Sequence, residues 1–417
     1  MKIQRSSFVE PGRNFGFATI AVAMSVFVFA YSIIYGFVSI LIFYVLWLPL
    51  ILLGYRKVLG NYARFYWIFA FALLACMSFA WSAAPSVTLR ASIQYATTII
   101  CALIASRIVD TRTFATGLSI GVAVVLLYSL AFGQFQYDEL DGSYSFTGAF
   151  SSKNQLGFFA SLGIYSAFSS FFILRTSKLW RVTSLLFGSL AVYCLIVSNS
   201  ATSIVATIAT IVISLSLGAA LMFSPRNRRI FFTIGLVLFA AAAAIAVKAG
   251  AVEFLLGAFG KDITLTGRTY LWQEGLKAYQ GSPIFGIGYQ AYWVQGFSEA
   301  ERLWDEFYID GRSGFHFHNT YIEVLVELGY SGLILICLFI AAVVFGNLRL
   351  LLIEKYTPQA HLMFGVALLL LIRSFFEIDF IQPYTIGSFL LYYSAGQLAI
   401  PQRVSTKLHQ ASIGRQP

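Results

Sequence analysis

Residues 15–34 read FGFATIAVAMSVFVFAYSII, twenty positions without one charged side chain. A helix of about 20 apolar residues crosses the hydrocarbon core of a bilayer, and this run is longer than the apolar region of a signal peptide. A second apolar window, 36–53, follows almost at once. The sequence therefore predicts an uncleaved first transmembrane helix.

The same apolar character extends along the whole chain. Of its 417 residues, 59% are hydrophobic and only 11% are charged, and the mean hydropathy is +0.77. Soluble domains are about 25% charged, so the composition excludes an ordinary soluble enzyme and a disordered polymer. The predicted fold class is an all-α polytopic membrane protein, a single membrane domain over 1–417 with about twelve transmembrane helices. The predicted spans are 15–34, 36–53, 65–82, 92–106, 114–132, 155–174, 182–198, 202–223, 230–248, 320–346, 361–377 and 384–400.

The distribution of charge predicts an orientation. Twelve spans put both termini on one side, and cytoplasmic loops are enriched in lysine and arginine. With the termini assigned to the cytoplasm, that side holds 19 of the 28 basic residues and three of the 18 acids, a net charge of +16, while the rest of the chain carries −6. The overall charge of +10 is therefore interpreted as a topology signal, and no nucleic-acid partner is predicted. The cytoplasmic cations on this assignment are Lys2, Arg5, Arg13, Arg56, Lys57, Arg64, Arg107, Arg112, Arg175, Lys178, Arg181, Arg226, Arg228, Arg229, Arg349, Lys355, Arg403, Lys407 and Arg415.

The longest hydrophilic segment, 249–319, lies outside on this assignment. Loops of this length are uncommon without a function, so we expect the active site there. A shorter external segment, 133–153, carries Asp138, Glu139 and Asp141. The chain has no GxxxxGK(S/T) phosphate loop, no Asp-x-Asp pair in a loop and no HExxH sequence. Nucleotide-driven and zinc-hydrolytic chemistry are therefore disfavoured.

The densest cluster of candidate groups is FHFHNTYIE, residues 315–323. Thr320 and Glu323 fit a capping box, so a helix is predicted to begin at position 319 or 320. His318 precedes this helix, where the macrodipole favours the neutral imidazole that accepts a proton from a sugar hydroxyl. The alternatives are helix capping for the polar residues and an interfacial histidine without a role. His316 would share a face with His318 in an extended chain, but the nearby acids lack ligand-like spacing and no metal is predicted.

A second cluster is TGRTYLWQEGLKAY, residues 266–279. Trp272, Leu276 and Tyr279 recur at i, i+4 and i+7, the stripe of an amphipathic helix, which more often serves packing than function. Arg268 stands at the predicted helix start, where the dipole disfavours a cation, so we expect an anionic partner. Other external cations, each explained on its own as a snorkelling or paired residue, are Arg90, Lys153, Arg302, Arg312 and Arg373.

Two further external features have competing interpretations. Arg373 and Glu377 are four positions apart, which predicts that they neutralise each other on a helix. Nine aromatic residues lie between positions 289 and 317. They are predicted either to stack on sugar rings or to form an interfacial aromatic belt, and the belt is favoured.

Taken together, these sequences resemble the O-antigen ligase and Wzy-type polymerase superfamily. The core of the resemblance comprises GRTYLW at 267–272, GSPIFGIG at 281–288 and HNTYIEVLVELGYSGL at 318–333. GAFSSKN at 148–154, SNSAT at 198–202, and Arg373 with Glu377 resemble the exopolysaccharide polymerase branch. The order of all pieces is more specific than any single one.

The resemblance implies a GT-C-like fold in the bacterial inner membrane and an enzyme that builds exopolysaccharide or O-antigen at the periplasmic face. Its donor would be a glycan on undecaprenyl diphosphate, used without metal, nucleotide sugar or other cofactor. The expected partners are this lipid-linked glycan, the lipid bilayer and other polysaccharide export and assembly proteins. The family's loop arginine and its histidine before an asparagine correspond to Arg268 and His318, while a second loop arginine corresponds to Arg312 or Arg302.

From these correspondences we expect inverting glycosyl transfer. His318 would deprotonate the acceptor hydroxyl, and Arg268, with Lys153 or Arg312, would stabilise the departing diphosphate. The predicted substrate-binding residues are Arg312, Lys153, Arg90 and Asn319. Two alternatives remain open: an O-antigen ligase that transfers finished polysaccharide to lipid A-core, and a polysaccharide flippase or exporter. Transporters usually carry mid-bilayer charges and repeat symmetry, whereas the ionisable residues here cluster at span ends and outside, which favours an enzyme.

Overall fold

The computed structural model describes residues 4–62, 65–138, 143–250, 257, 267–353 and 357–400. The helices in these ranges are α1 Ser6–Val9, α2 Phe15–Trp47, α3 Leu50–Val58, α4 Tyr66–Met77, α5 Pro85–Ile108, α6 Thr111–Phe132, α7 Lys153–Phe168, α8 Lys178–Ser198, α9 Ala201–Ala220, α10 Pro225–Lys248, α11 Arg268–Ala278, α12 Ser298–Glu306, α13 Thr320–Ile353, α14 Pro358–Arg373 and α15 Ile386–Ala399. The two strands are β1 Gln134–Asp138 and β2 Ser143–Gly148. Predicted features outside the described ranges are 251–256 and 258–266 of the insert, Glu139, Asp141, Lys2, Arg64, Lys355, Arg403, Lys407 and Arg415.

The predicted fold class, an all-α polytopic membrane protein, is confirmed. Eight of the described helices are long and apolar enough to cross a membrane, namely α2, α5, α6, α7, α8, α9, α10 and α13. The α4 helix with the short 3-10 turn after it, and α14, are apolar but shorter. Every predicted window falls on a helix, but the count of twelve spans is not confirmed.

Local sequence sets where several of these helices begin. Asp110 caps α6, because its Oδ1 accepts the backbone N–H groups of Arg112 and Thr113 at 3.0 Å each. Ser152, Ser177 and Ser200 cap α7, α8 and α9 through the same kind of bond. The helices then bury one continuous apolar core, in which α6 packs between α2 and α7, α15 packs on α5, and α14 lies against α9 and α13.

The long helix α2 contains a reversal of the chain. Tyr31 and Gly36 have non-helical backbone angles. Beyond them the chain runs back along itself, since Trp47 Nε1 donates to Ser25 Oγ at 2.9 Å. In a straight helix these two positions would lie ~33 Å apart. The predicted window 15–34 and the part of the window 36–53 up to Trp47 are thus two antiparallel segments of α2, and the rest of that window begins α3.

The helix α13 is broken at Gly329, which has φ +62° and ψ −162°. The insert closes this break through main-chain bonds: Ile287 and Gly288 donate N–H groups to the carbonyls of Val326 and Glu327 at 3.2 and 2.8 Å. The carbonyls of Pro283 and Ile284, earlier in the same turn, accept the N–H groups of Tyr330 and Ser331 at 2.8 and 3.1 Å. The predicted span 320–346 therefore divides into a short outer helix, Thr320–Leu328, and a longer segment that begins at Tyr330.

Close approach at this break requires glycine. A Cβ at Gly329 would meet the carbonyl of Ile284 at 2.4 Å, and one at Gly286 would meet the backbone of Glu327 at 2.3 Å. The GSPIFGIG and ELGYSG sequences of the resemblance are thus the two halves of one structural joint.

The insert has a small hydrophobic core of its own. This core contains Leu271, Tyr292, Trp304, Phe307 and Phe317, which hold α11 and α12 against the outer part of α13. The sequence predicts that the aromatic residues at 289–317 stack on sugars or form an interfacial belt. Neither interpretation is correct for the four aromatic members of this core, because their rings are buried against one another and not displayed to sugar or lipid. These aromatic residues therefore serve to pack the interior of the insert.

Candidate active site

Three separate parts of the chain converge on the carboxylate of Glu377. Arg268, the first residue of α11, donates from Nη2 to Glu377 Oε1 at 2.9 Å and from Nη1 to the carbonyl of Phe376 at 3.0 Å. Asn154 of α7 donates from Nδ2 to the same Oε1 at 2.8 Å. The other oxygen, Oε2, lies 3.6 Å from His318 Nδ1. The two residues predicted to be catalytic are therefore held beside one buried acid.

The turn that carries Glu377 is bonded to the start of α13. Thr320 donates its N–H to Ser374 O at 2.9 Å and its hydroxyl to Glu377 O at 2.6 Å. Asn319 Nδ2 donates to Phe375 O at 3.1 Å. These bonds fix the distance between His318 and Glu377, because His318 directly precedes the bonded Asn319 and the Glu377 carbonyl is itself a bonded group.

The predicted capping box is shifted by one residue. Asn319 is the cap, since its Oδ1 accepts the N–H groups of Tyr321 and Ile322 at 2.9 and 3.2 Å. Glu323 reaches back to the N–H of Phe317 at 2.8 Å, while the Thr320 hydroxyl is already bonded to the Glu377 turn. Asn319, predicted to bind substrate, thus uses its side chain to start α13.

The two histidines lie together, as their spacing predicts, although the chain is not extended here. His318 has φ +50°, and its ring centroid lies 4.2 Å from that of His316. His316 Nδ1 accepts the N–H of His318 at 3.0 Å, which requires Nδ1 to be unprotonated. Burial lowers the pKa of His316 well below its ordinary value, so this ring is a neutral structural support for His318.

The electrostatics of the site favour an ionised carboxylate. Burial by itself would raise the pKa of Glu377, but the neighbouring His318 and Arg268 hold that pKa well below its usual range. A carboxylate facing Nδ1 favours the tautomer with the proton on Nδ1 and leaves Nε2 as a proton acceptor. The side chains of Arg268 and His318 stay 15% and 22% exposed, so a ligand can still reach them.

The segments that resemble the exopolysaccharide branch build one side of this site. Ser200, in SNSAT, donates its hydroxyl to Asn154 Oδ1 at 2.8 Å and so orients the amide that binds Glu377. Lys153 is half-buried and precedes Asn154 at the start of α7. Both segments therefore meet at the wall that contains Asn154.

The predicted pairing of Arg373 with Glu377 is wrong. The α14 helix ends at Arg373, and although the Glu377 N–H still donates to the Arg373 carbonyl at 2.8 Å, the two side chains do not pair. Arg373, 1% exposed, instead forms a two-pronged pair with Asp379 at 2.6 and 3.1 Å and stacks over Phe158. This pair stabilises the turn that carries Glu377 and leaves the Glu377 carboxylate available to Arg268 and His318.

The other predicted cations do not join this cluster. Arg312 pairs with Glu301 and Asp305 of α12, and Arg302 pairs with Glu274 and Glu306. Both arginines lie on the partly exposed surface of the insert. Arg90 is exposed in the second turn of α5, with no ion-pair partner among the described residues.

One group among the described residues has metal-like spacing. His316, His318 and Glu377 each offer a ligand atom, and these atoms lie within 4.8 Å of one another. His316 Nδ1 already accepts a backbone N–H, and Glu377 Oε1 accepts from Arg268 and Asn154. A guanidinium in contact with the carboxylate opposes a second cation there, so metal-independent chemistry stays our prediction.

Comparisons with known proteins are consistent with this geometry. A family model described as O-antigen ligase matches residues 186–337, which include Arg268 and His318. The chain is also 54% identical over 419 aligned positions to the exopolysaccharide production protein ExoQ of Rhizobium meliloti. That match covers 100% of this chain and 96% of the relative.

Proposed function

The chain belongs to the O-antigen ligase and polymerase family, and from that premise we propose that it joins the repeat units of a bacterial exopolysaccharide at the periplasmic face of the inner membrane. The donor in this proposal is a growing glycan on undecaprenyl diphosphate, and the acceptor is a lipid-linked repeat unit. The convergence of His318 and Arg268 on Glu377 is the observation that carries the proposal. A proton acceptor and a cation for an anionic leaving group stand side by side there.

His318 acts as the general base. With Nδ1 facing Glu377, Nε2 takes the proton of the acceptor hydroxyl while the hydroxyl oxygen attacks the anomeric carbon of the donor. The bond between that carbon and the diphosphate oxygen breaks, and the electron pair leaves with undecaprenyl diphosphate. One displacement inverts the anomeric centre. The imidazolium that forms is stabilised by the carboxylate.

Arg268 stabilises the leaving diphosphate. Its two bonds to Phe376 and Glu377 use two of the five guanidinium N–H groups, so donors remain for phosphate oxygens. These bonds also fix the guanidinium before substrate arrives, and preorganised charge is the form of stabilisation that enzymes use most effectively. Lys153 and Arg312 are proposed to contact the outer parts of the diphosphate or glycan.

The test uses variants at matched expression. His318→Ala and Arg268→Ala should abolish polymer and leave single repeat units on the carrier lipid. Lys277→Ala is the matched control, since it removes an exposed cation from the same helix as Arg268. Wild-type polymer from both site variants would refute the proposal.

A ligase function is the second candidate, because the matching family model is described as O-antigen ligase. The two functions differ in what accumulates on undecaprenyl diphosphate in a deletion strain. Loss of a polymerase leaves single repeat units, whereas loss of a ligase leaves finished polymer. Mass spectrometry of the extracted lipid-linked glycans separates the two outcomes.

A further inference from the structure

The hairpin of β1 and β2 displays its aromatic face outward. Its register pairs Phe135 with Phe146 and Tyr137 with Tyr144, which places all four rings on one face. Three of them are open to the surroundings, with exposed fractions of 65% for Phe135, 53% for Tyr137 and 72% for Tyr144. Antiparallel sheets usually bury the apolar face and expose the polar one.

The polar face of the same hairpin is turned inward. Ser145 and Thr147 are only 3% and 2% exposed, and β2 packs on α6, α7 and α8. The ring pairs are close, with centroids 5.1 Å apart in each. The exposed rings therefore form an uneven aromatic surface, because the paired rings are inclined to each other by 53° and 50°. This surface is here called the hairpin platform and consists of Phe135, Tyr137 and Tyr144.

Lipid hydrocarbon is a poor partner for the hairpin platform. Among the described residues the sheet has two strands only, so both outer edges carry backbone groups that need water. The residues that connect the strands include Glu139 and Asp141, directly after Asp138, and three acids disfavour an anionic membrane surface. An aqueous ligand with flat apolar faces and many hydroxyl groups fits both properties.

The platform is connected directly to the candidate active site. Gly148, the last residue of β2, precedes Asn154, whose amide binds Glu377, by six positions. Six residues span at most about 20 Å. The base of the hairpin, where Gly148 pairs with Gln134, therefore lies within ~20 Å of Asn154, a distance that a chain of several sugars can cover.

We propose that the hairpin platform binds the saccharide chain of the donor or product and so keeps the growing polymer attached between transfers. This inference rests on the proposed function. The axial C–H groups of a pyranose carry partial positive charge and pack on the negative faces of the tyrosine rings.

Direct binding is tested on the full-length protein in detergent. The probe is a set of oligosaccharides cleaved from the polymer of the same strain, and binding is measured by calorimetry in a His318→Ala background to prevent turnover. Tyr137→Ala with Tyr144→Ala should raise Kd at least tenfold, while Tyr137→Phe with Tyr144→Phe, which keeps both rings, should bind like the parent. Tyr308→Ala, an equally exposed tyrosine of the insert, is the control.

A cellular measurement complements binding. With His318 intact, the double alanine variant should make polymer of shorter chain length while still joining two repeat units in vitro. If the double variant has a lowered Tm, Tyr144→Ala alone replaces it in both assays.

Three results would overturn the inference. The first is that the alanine variants keep the Kd and the polymer chain length of the parent while His318→Ala makes no polymer. This result would refute the role of the platform and leave the proposed function intact. Another is quenching of a Tyr144→Trp reporter by brominated lipids in nanodiscs, which assigns the platform to the membrane. Polymer from His318→Ala refutes the proposed function itself and removes the basis of the inference.

Discussion

Glu377→Gln tests the site most sharply, because it removes one charge and keeps the shape of the side chain. The amide can still accept a bond from Arg268 and fill the same space. It no longer favours an imidazolium at His318. We therefore expect a protein that folds and binds donor but transfers glycan slowly.

The expected loss follows from the geometry. A full charge on the imidazole forms only as His318 takes the proton, and its Nδ1 lies 3.6 Å from Glu377 Oε2. At an effective dielectric constant near 20, two unit charges at this distance attract by ~4.6 kcal/mol. With about 1.4 kcal/mol for each factor of ten, the rate should fall about 10³-fold.

The assay is in vitro polymerisation by purified protein with a saturating lipid-linked repeat unit. Glu274→Gln is the matched control, because Glu274 is also a buried acid with two cationic partners, Lys277 and Arg302, but belongs to the insert surface. A rate within threefold of wild type for Glu377→Gln would refute the role of the carboxylate. A loss of equal size in Glu274→Gln would point to general destabilisation instead.

The pH–rate profile gives an independent measurement. In the proposed mechanism the transfer needs a neutral His318, and the neighbouring carboxylate favours the charged ring. Removal of the carboxylate in Glu377→Gln should therefore shift the ascending limb of the pH–rate profile to lower pH. An unmoved limb in Glu377→Gln would show that His318 does not titrate against this carboxylate.

Four other perturbations have defined outcomes. Asp379→Asn leaves the buried Arg373 without its countercharge and should lower the free energy of unfolding by about 3–5 kcal/mol, measured by chemical denaturation in detergent. Gly329→Ala places a Cβ against backbone at 2.4 Å and should abolish the yield of monodisperse protein. His316→Asn should flatten the pH dependence of Tm: burial lowers the pKa of His316, so in the wild type only the unfolded chain gains this proton, and stability is full above pH ~6.5 and falls below it. A chelator such as EDTA should leave the transfer rate unchanged, and loss of activity that added zinc restores would assign a metal to His316, His318 and Glu377.

The sequence was sufficient for the fold class because membrane spans depend on local composition. Runs such as 15–34 carry their signal in twenty consecutive residues, and every predicted window lies on a helix. The number of crossings is a different quantity. It depends on reversals such as the one near Gly36 and on breaks such as Gly329, which hydropathy does not register.

The sequence indicates only some of the residues that form the candidate site. Arg268 and His318 attract notice because both stand at helix starts, and the structure brings them together. Glu377 was missed as their common partner, since helical periodicity assigned it to Arg373 while the helix in fact ends at that residue. Asn154 lies in the GAFSSKN segment of the resemblance, but its contact with Glu377 is not predictable from sequence, because it depends on α7 meeting a turn 223 positions later.

The joint at Gly329 connects the thickness of the lipid bilayer to the position of the candidate site. The segment Tyr330–Ile353 is ~36 Å long, more than the ~30 Å of a typical hydrocarbon core, and tilting is one way in which a helix of this length matches the bilayer. Its outer end is fastened to the insert by main-chain bonds, and the short helix above it begins beside His318. A change of tilt would therefore rotate His318, the proposed general base, relative to the membrane plane.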